Sequence, residues 1–230
     1  MLRHERREEI RRLDDAKNVS DKDPGGWIQR GSDSTRAGRI MEDAAQRQVT
    51  AQLAAKKGRS KGTFDFVHID HSRGGGGFDN VIVELTTHGD KVTAKIRIRE
   101  VKDHPDRYVS KSEFSAISGD GLKSNLGVLG NIIQEARAAK ALDPEVVVFD
   151  KPDLTPEHLD AMYEAFTTNN IEVEVVLGPD TLLGSANGTG KRVLKDLQND
   201  VDGQLQKGAF KTNPDRVKEN WVRTAQEAEK

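Results

Sequence analysis

The chain has 230 residues, 34% of them hydrophobic and 32% charged, which is enough to bury one good core with helical additions in a soluble protein. It contains no cysteine, so disulfides and Cys-ligated zinc or iron–sulfur centres are excluded. No apolar run approaches the ~20 residues that span a bilayer, and Met1 to Arg12 is rich in Arg and Glu where a cleaved signal would be apolar, so neither a membrane nor the usual export route is expected.

Residues 1–33 hold a short charged helix pattern and then Asp21-Lys22-Asp23-Pro24-Gly25-Gly26, and they read as an arm or linker. A helix is predicted from Ser34 to about Lys57, with Ile40, Ala44, Ala45, Val49 and Leu53 as its apolar stripe and Gly58 as its stop. Residues 62–71 and 78–86 are strand-like and are joined by Ser72-Arg73 and four glycines. His88-Gly89-Asp90-Lys91 then turns the chain into a third strand, 92–102. Turns this short permit only antiparallel pairing, so the three strands form a meander.

Leu122, Leu126, Leu129, Ile133 and Ala136 mark a long amphipathic helix with Asp120 as a candidate cap. Glu145-Val146-Val147-Val148-Phe149 is a continuous apolar run, as a central strand covered on both faces would show. Thr155-Pro156-Glu157 opens another helix, with Leu159, Met162, Tyr163 and Phe166 on one side. Residues 171–177 alternate, with Glu172 and Glu174 expected to face water near a sheet edge. Two more helices are predicted in the C-terminal stretch. Val193, Leu194, Leu197, Val201 and Leu205 mark the first; Asn213 caps the second, with Pro214 at its first position and Val217, Trp221 and Ala225 on one side. The resulting division is an arm at 1–33, an α/β domain at 34–180 with a mixed sheet, and a helical extension at 181–230.

The formal net charge of −2 hides an asymmetry. Between Arg30 and Gly62 there are eight Lys/Arg against three Asp/Glu, and between Lys91 and Lys111 seven against three, whereas Asp143 to Asp180 carries ten acids and one lysine. The basic stretches flank the most unusual feature of the chain. On the 92–102 strand Ala94, Ile96, Ile98, Glu100 and Lys102 share one face, and Thr93, Lys95, Arg97 and Arg99 the other. The apolar face therefore ends in a carboxylate and an amine, which must have partners or a task.

Asp79 lies on the preceding strand and Glu42 on the first helix. Carboxylate oxygens are the natural ligands of Mg²⁺, which keeps several waters and binds through one or two carboxylates plus substrate phosphate. A lysine on the same face is placed to orient or deprotonate an attacking water and to offset negative charge. Hydrolysis of a phosphodiester needs both an activated water and stabilisation of charge on phosphate.

The order and spacing of Gly38-Arg39-Ile40-Met41-Glu42, Gly77-Phe78-Asp79-Asn80-Val81 and Arg99-Glu100-Val101-Lys102 resemble the PD-(D/E)xK nuclease superfamily over roughly residues 34–150. The resemblance implies a restriction-endonuclease-like fold and a metal-dependent nuclease acting on DNA or RNA, with Asp79 and Glu100 as ligands of Mg²⁺ or Mn²⁺, Lys102 as the catalytic lysine and Glu42 in support. Phe78 stands where the family usually has proline. Lys123, Arg97 and Arg99 are the expected substrate-binding cations. Toxin nucleases occur in this superfamily, so delivery into a target-cell cytoplasm and an immunity protein as partner are also implied; otherwise a cytoplasmic restriction or repair role is expected. The competing reading is a non-catalytic nucleic-acid-binding or assembly module on the same scaffold.

Four further signals are weaker. Glu84 is a competing carboxylate, but five residues from Asp79 it falls on the opposite face. His68-Ile69-Asp70-His71 has metal-ligand residue types, yet its two histidines face opposite ways on a strand. Gly184-Ser-Ala-Asn-Gly-Thr-Gly-Lys-Arg192 fails the phosphate-loop spacing. The tetraglycine 74–77 reads as a hairpin turn.

Overall fold

The structure, a computed structural model, describes residues 33–71, 77–104, 108–178, 181–184, 190–206 and 217–221, with side chains described within residues 40–204 of that set. The first element is helix α1, Asp33–Arg59. It buries Met41, Ala45, Val49 and Leu53, a four-residue spacing that keeps one narrow stripe against the sheet. Gly58 does not stop it. The chain turns after Arg59, where Ser60 N–H reaches the Lys56 and Lys57 carbonyls and Gly62 supplies a left-handed φ of 86°.

Strands β1 (Phe64–Ile69), β2 (Asn80–His88) and β3 (Lys91–Lys102) form the expected antiparallel meander. A two-residue strand β4 (Tyr108–Val109) and two short 3₁₀ turns lead to α2 (Gly119–Leu142). Helix α3 (Pro156–Thr167) begins as predicted, with Thr155 Oγ1 capping His158 N–H and proline at the first position. Then come β5 (Ile171–Leu177), β6 (Leu182–Leu183), α4 (Gly190–Gln206) and β7 (Val217–Trp221). The class is α/β. Strands β1, β2, β3 and β5 make a mixed sheet in that order, with β5 parallel to β3, and β7 adds a fifth, parallel strand beyond β5. Strands β4 and β6 pair apart from it.

The sheet divides the interior in two. On one face Val81, Val83, Leu85, Ile96, Ile98, Val173 and Val175 meet Leu122, Leu129, Ile133, Leu159, Met162, Val193, Leu197 and Val201 of α2, α3 and α4. The other face lies under α1, where two small apolar clusters, Met41/Ala45/Val101/Val176 and Val49/Leu53/Phe64/Ile82, flank a layer of charge. Arg97 Nη2 lies 2.6 Å from Glu84 Oε1, and Glu174 is shared by Arg97 (3.6 Å) and Arg99 (2.9 Å). Lys95 pairs with Glu172, and Lys56 reaches Glu84 from α1 at 2.7 Å.

Four expectations are corrected. Residues 171–177 are not half-exposed near an edge: every residue is buried and β5 is paired on both sides. Alternation of apolar and acidic residues does not tell whether the acidic face meets water or buried cations, and here it meets Lys95, Arg97 and Arg99. Residues 145–149 are not a central strand. They form a loop closed by a Val148–Lys151 bridge, Phe149 and Asp150 adopt φ of 55° and 51°, which no strand can continue through, and Val147 is 54% exposed. Val217 and Trp221 belong to a strand, since positions i and i+4 share a face at both helical and extended periods; Asn213, Pro214 and Ala225 lie outside the described residues. The cap of α2 is Ser118, not Asp120.

Candidate metal and catalytic site

Antiparallel register brings the start of β2 against the end of β3, with Asn80 opposite Arg99 and Val81 opposite Ile98. Asp79, one residue before the ladder begins, therefore falls beside Glu100 and Val101. Its Oδ2 accepts the Val101 N–H at 2.6 Å and lies 4.0 Å from Lys102 Nζ. Lys102 Nζ donates to Glu100 Oε1 at 2.5 Å and stands 5.9 Å from the centroid of Phe114, which is fully buried. Glu42, on α1, is near enough for its charge to act on both Glu100 and Lys102. The structure thus gathers Asp79, Glu100, Lys102 and Glu42 at one corner of the sheet.

The electrostatics are those of an acidic corner with one cation. Burial and the neighbouring Asp79 carboxylate push the Glu100 carboxyl up to about 8, against the pull of Lys102. Burial also raises Asp79, opposed by Lys102 and by the Val101 N–H. For Lys102 burial disfavours the charge, but Glu100, Asp79 and Glu42 together hold its pKa above the ordinary value. It is therefore an ammonium at neutral pH, a donor before it is a base.

Among the described residues no group of three or more His, Asp or Glu is arranged as a ready metal cage. Magnesium does not need one, because waters and substrate complete its shell. Glu100 Oε2 is buried and makes no hydrogen bond, an acceptor whose desolvation nothing on its own side offsets. The unbonded Glu100 oxygen, with Asp79 beside it and Glu42 within electrostatic reach, fits a hard divalent cation, which would take the place of the proton that burial favours on Glu100.

Beside this corner a groove of about 1000 Å³ runs along β1, lined by Glu42, Asp79 and Asn80 at one end and by Phe66, His68 and Phe149 farther on. The histidines beside it are not ligands. His68 has Gln46 Nε2 at 2.6 Å from Nδ1 and Thr50 Oγ1 at 3.1 Å from Nε2. His71 accepts the Phe78 N–H at Nδ1 and donates from Nε2 to the Asn125 carbonyl.

The cations assigned to substrate are placed differently from expectation. Arg99 is 1% exposed, and Arg97, whose side chain is 20% exposed, is held between Glu84 and Glu174; both belong to the layer beneath α1. Lys123 is exposed near the start of α2. Glu84 lies on the opposite face from the site, as its spacing implies, in salt bridges with Lys56 and Arg97. Phe114 is the residue the sequence reading missed. It sits between two short 3₁₀ turns, where no periodicity announces burial. No protein-family model matches the chain, and neither does any curated protein or solved structure.

Proposed function

We propose that the protein is a divalent-cation-dependent phosphodiesterase that cuts polynucleotides. The observation that carries the reading is the convergence of Asp79, Glu100 and Lys102 on a buried corner where one carboxylate oxygen of Glu100 is orphaned. The order of elements adds support: a helix, an antiparallel meander, more helices and a strand parallel to β3, as the PD-(D/E)xK resemblance implies.

Asp79 and Glu100 would hold the cation, and Glu42 would act on it or on its waters. A divalent cation supplies Lewis-acid polarisation of a phosphoryl oxygen and a more acidic water. Asp79 is fixed in place by the Val101 N–H, so its carboxylate is oriented before any cation arrives. Lys102, charged at neutral pH, directs an N–H toward charge that develops on the phosphate, and Phe114 keeps water from one side of the ammonium. The side chains of Lys102 and Asp79 remain 17% and 20% exposed, which leaves the corner open to a substrate strand.

The pairing of Lys102 with Glu100 within the protein also fits a scaffold that binds without cutting. One experiment separates the two readings. The purified chain is incubated with Mg²⁺ or Mn²⁺ and plasmid, single-stranded DNA or total tRNA, beside Glu100→Gln and Lys102→Ala. Cleavage by wild type alone supports the phosphodiesterase; retained affinity with no cleavage of any substrate refutes it in favour of the binding module. If cleavage is found, toxicity on expression in a bacterial cytoplasm, absent for Lys102→Ala, marks a toxin that needs a neutralising partner.

A further inference from the structure

We infer that Arg99 is a positioning residue for Glu42, its guanidinium pinning α1 to the sheet so that Glu42 is held beside Asp79 at the edge of the groove, within reach of the Glu100–Lys102 pair. This rests on the metal-site reading above and deepens it.

Arg99 is one of the largest fully buried side chains in the protein, and it spans three elements. It rises from β3 next to Glu100. Its Nε donates to Glu174 Oε2 on β5 at 2.9 Å, and its Nη1 donates to the main-chain carbonyl of Ala45 in α1 at 2.8 Å. Ala45 is itself fully buried and lies three residues, just under one turn, beyond Glu42. A mid-helix carbonyl already accepts within its helix, so a second, charge-assisted bond from a buried guanidinium fixes the turn that carries Glu42, both along the helix axis and about it.

The apolar contacts of α1 do not supply this. Met41, Ala45, Val101 and Val176 are small or flexible side chains, and such packing tolerates a slide or a rotation of the helix. Other polar contacts tie α1 to the sheet as well, but by flexible side chains rather than by the helix main chain: Gln46 and Thr50 meet His68 on β1, and Lys56 and Lys57, both about half exposed, reach Glu84 and Asp65 14 and 15 positions beyond Glu42. Only a planar fork can span a carboxylate on β5 and a carbonyl on α1 at once, and a lysine at 99 would keep the charge while losing the geometry.

The test is a double-substitution cycle read by Mn²⁺ affinity on the purified full chain, with folding checked by circular dichroism. The variants are Glu42→Gln, Arg99→Lys and the two combined, with Lys56→Ala as a control that removes a different α1–sheet ion pair. Loss of a residue that orients a ligand typically weakens metal binding about 10- to 100-fold. Glu42→Gln and Arg99→Lys should each weaken Mn²⁺ binding about tenfold, the combined variant should be no weaker than either, and Lys56→Ala should bind as wild type does. A purely structural Arg99 would give additive losses, or none beyond a lowered melting temperature, and either result overturns the inference. If Arg99→Lys does not fold, Glu174→Gln, which loosens the other end of the fork, replaces it in the same cycle. If wild type binds no Mn²⁺, the metal-site reading fails; if wild type binds and the cycle is additive, only the role of Arg99 fails.

Discussion

The raised pKa of Glu100 makes the site a liability to the free fold, and the liability has a sign. Its native value of about 8 stands above the 4.5 of an unperturbed glutamate. The native state therefore binds the proton more tightly than the unfolded chain, and stability falls as pH rises between the two values. Asp79, also raised, adds in the same direction. Lys102 is raised too, but its contribution is present throughout neutral pH and is lost only above its unfolded pKa near 10.5. His68 and His71 are both lowered by burial, so they favour the fold above pH 6.5 and oppose the Glu100 trend below it. The window in which these histidines do not oppose the trend is thus pH 6.5 to 8. At about 1.4 kcal/mol per pH unit for a single group, stability should drop by about 2 kcal/mol across it. Urea unfolding in EDTA at half-unit steps measures the drop. In Glu100→Gln the profile should be flat, and in wild type saturating Mg²⁺ should abolish the decline, because the cation takes the deprotonated carboxylate and at about 100 times its Kd adds ~2.7 kcal/mol. A Glu100→Gln profile that declines as steeply as wild type would show that the slope does not come from this corner.

Removing one partner of the buried layer should be costly where the other is sealed in. Glu174→Ala leaves Arg99 uncompensated and should lower stability by about 3–5 kcal/mol, whereas Lys56→Ala, with its ammonium half exposed, should cost about 1 kcal/mol or less; thermal denaturation compares them. Gly77→Ala would place a Cβ 2.5 Å from the His71 carbonyl oxygen and 2.7 Å from its Nδ1, at a φ of 155° that favours glycine, so the turn before Asp79 must open. A loss of about 1–3 kcal/mol is expected, together with weaker Mn²⁺ binding. With Mg²⁺ subsaturating, cleavage should climb from pH 6 toward 8 in wild type as Glu100 gives up its proton; a rate independent of pH in that range would remove Glu100 as a ligand.

Much of the fold was legible because short turns and clean periodicity leave few options. The meander, the stripe of α2 and the Thr155-Pro156 start of α3 all follow from local rules. The misreadings of 171–177, Arg97 and Arg99 share a cause, since each depended on what lay across the sheet. Arg97, Arg99, Glu172 and Glu174 look like solvated residues on two separate strands, and only the β3–β5 pairing turns them toward one another beneath α1. The charge asymmetry along the chain is in part this internal pairing. Site residues were legible for the opposite reason: Glu100 and Lys102 end an apolar face, which is an anomaly within one strand. Phe114 carries no such mark, and the orphaned oxygen of Glu100 is visible only in three dimensions.

The sharing of Glu174 also sets an order of assembly. Arg99 and Glu174 are 75 residues apart, and two helices intervene between their strands. The meander and α1 are local and can form early, whereas parallel pairing of β5 must wait for a long loop to close. Until then Arg99 has no carboxylate to aim its fork, and α1 is held to the meander by apolar packing, by Gln46 and Thr50 on His68, and by Lys56 and Lys57 on Glu84 and Asp65. Asp79, Glu100 and Lys102 can meet as soon as the meander forms, whereas the positioning role inferred for Arg99 makes Glu42 wait until β5 docks. On that inference the corner is completed late, by a strand other than those that carry its carboxylates, and a partly folded chain has three of its residues together and not yet the fourth.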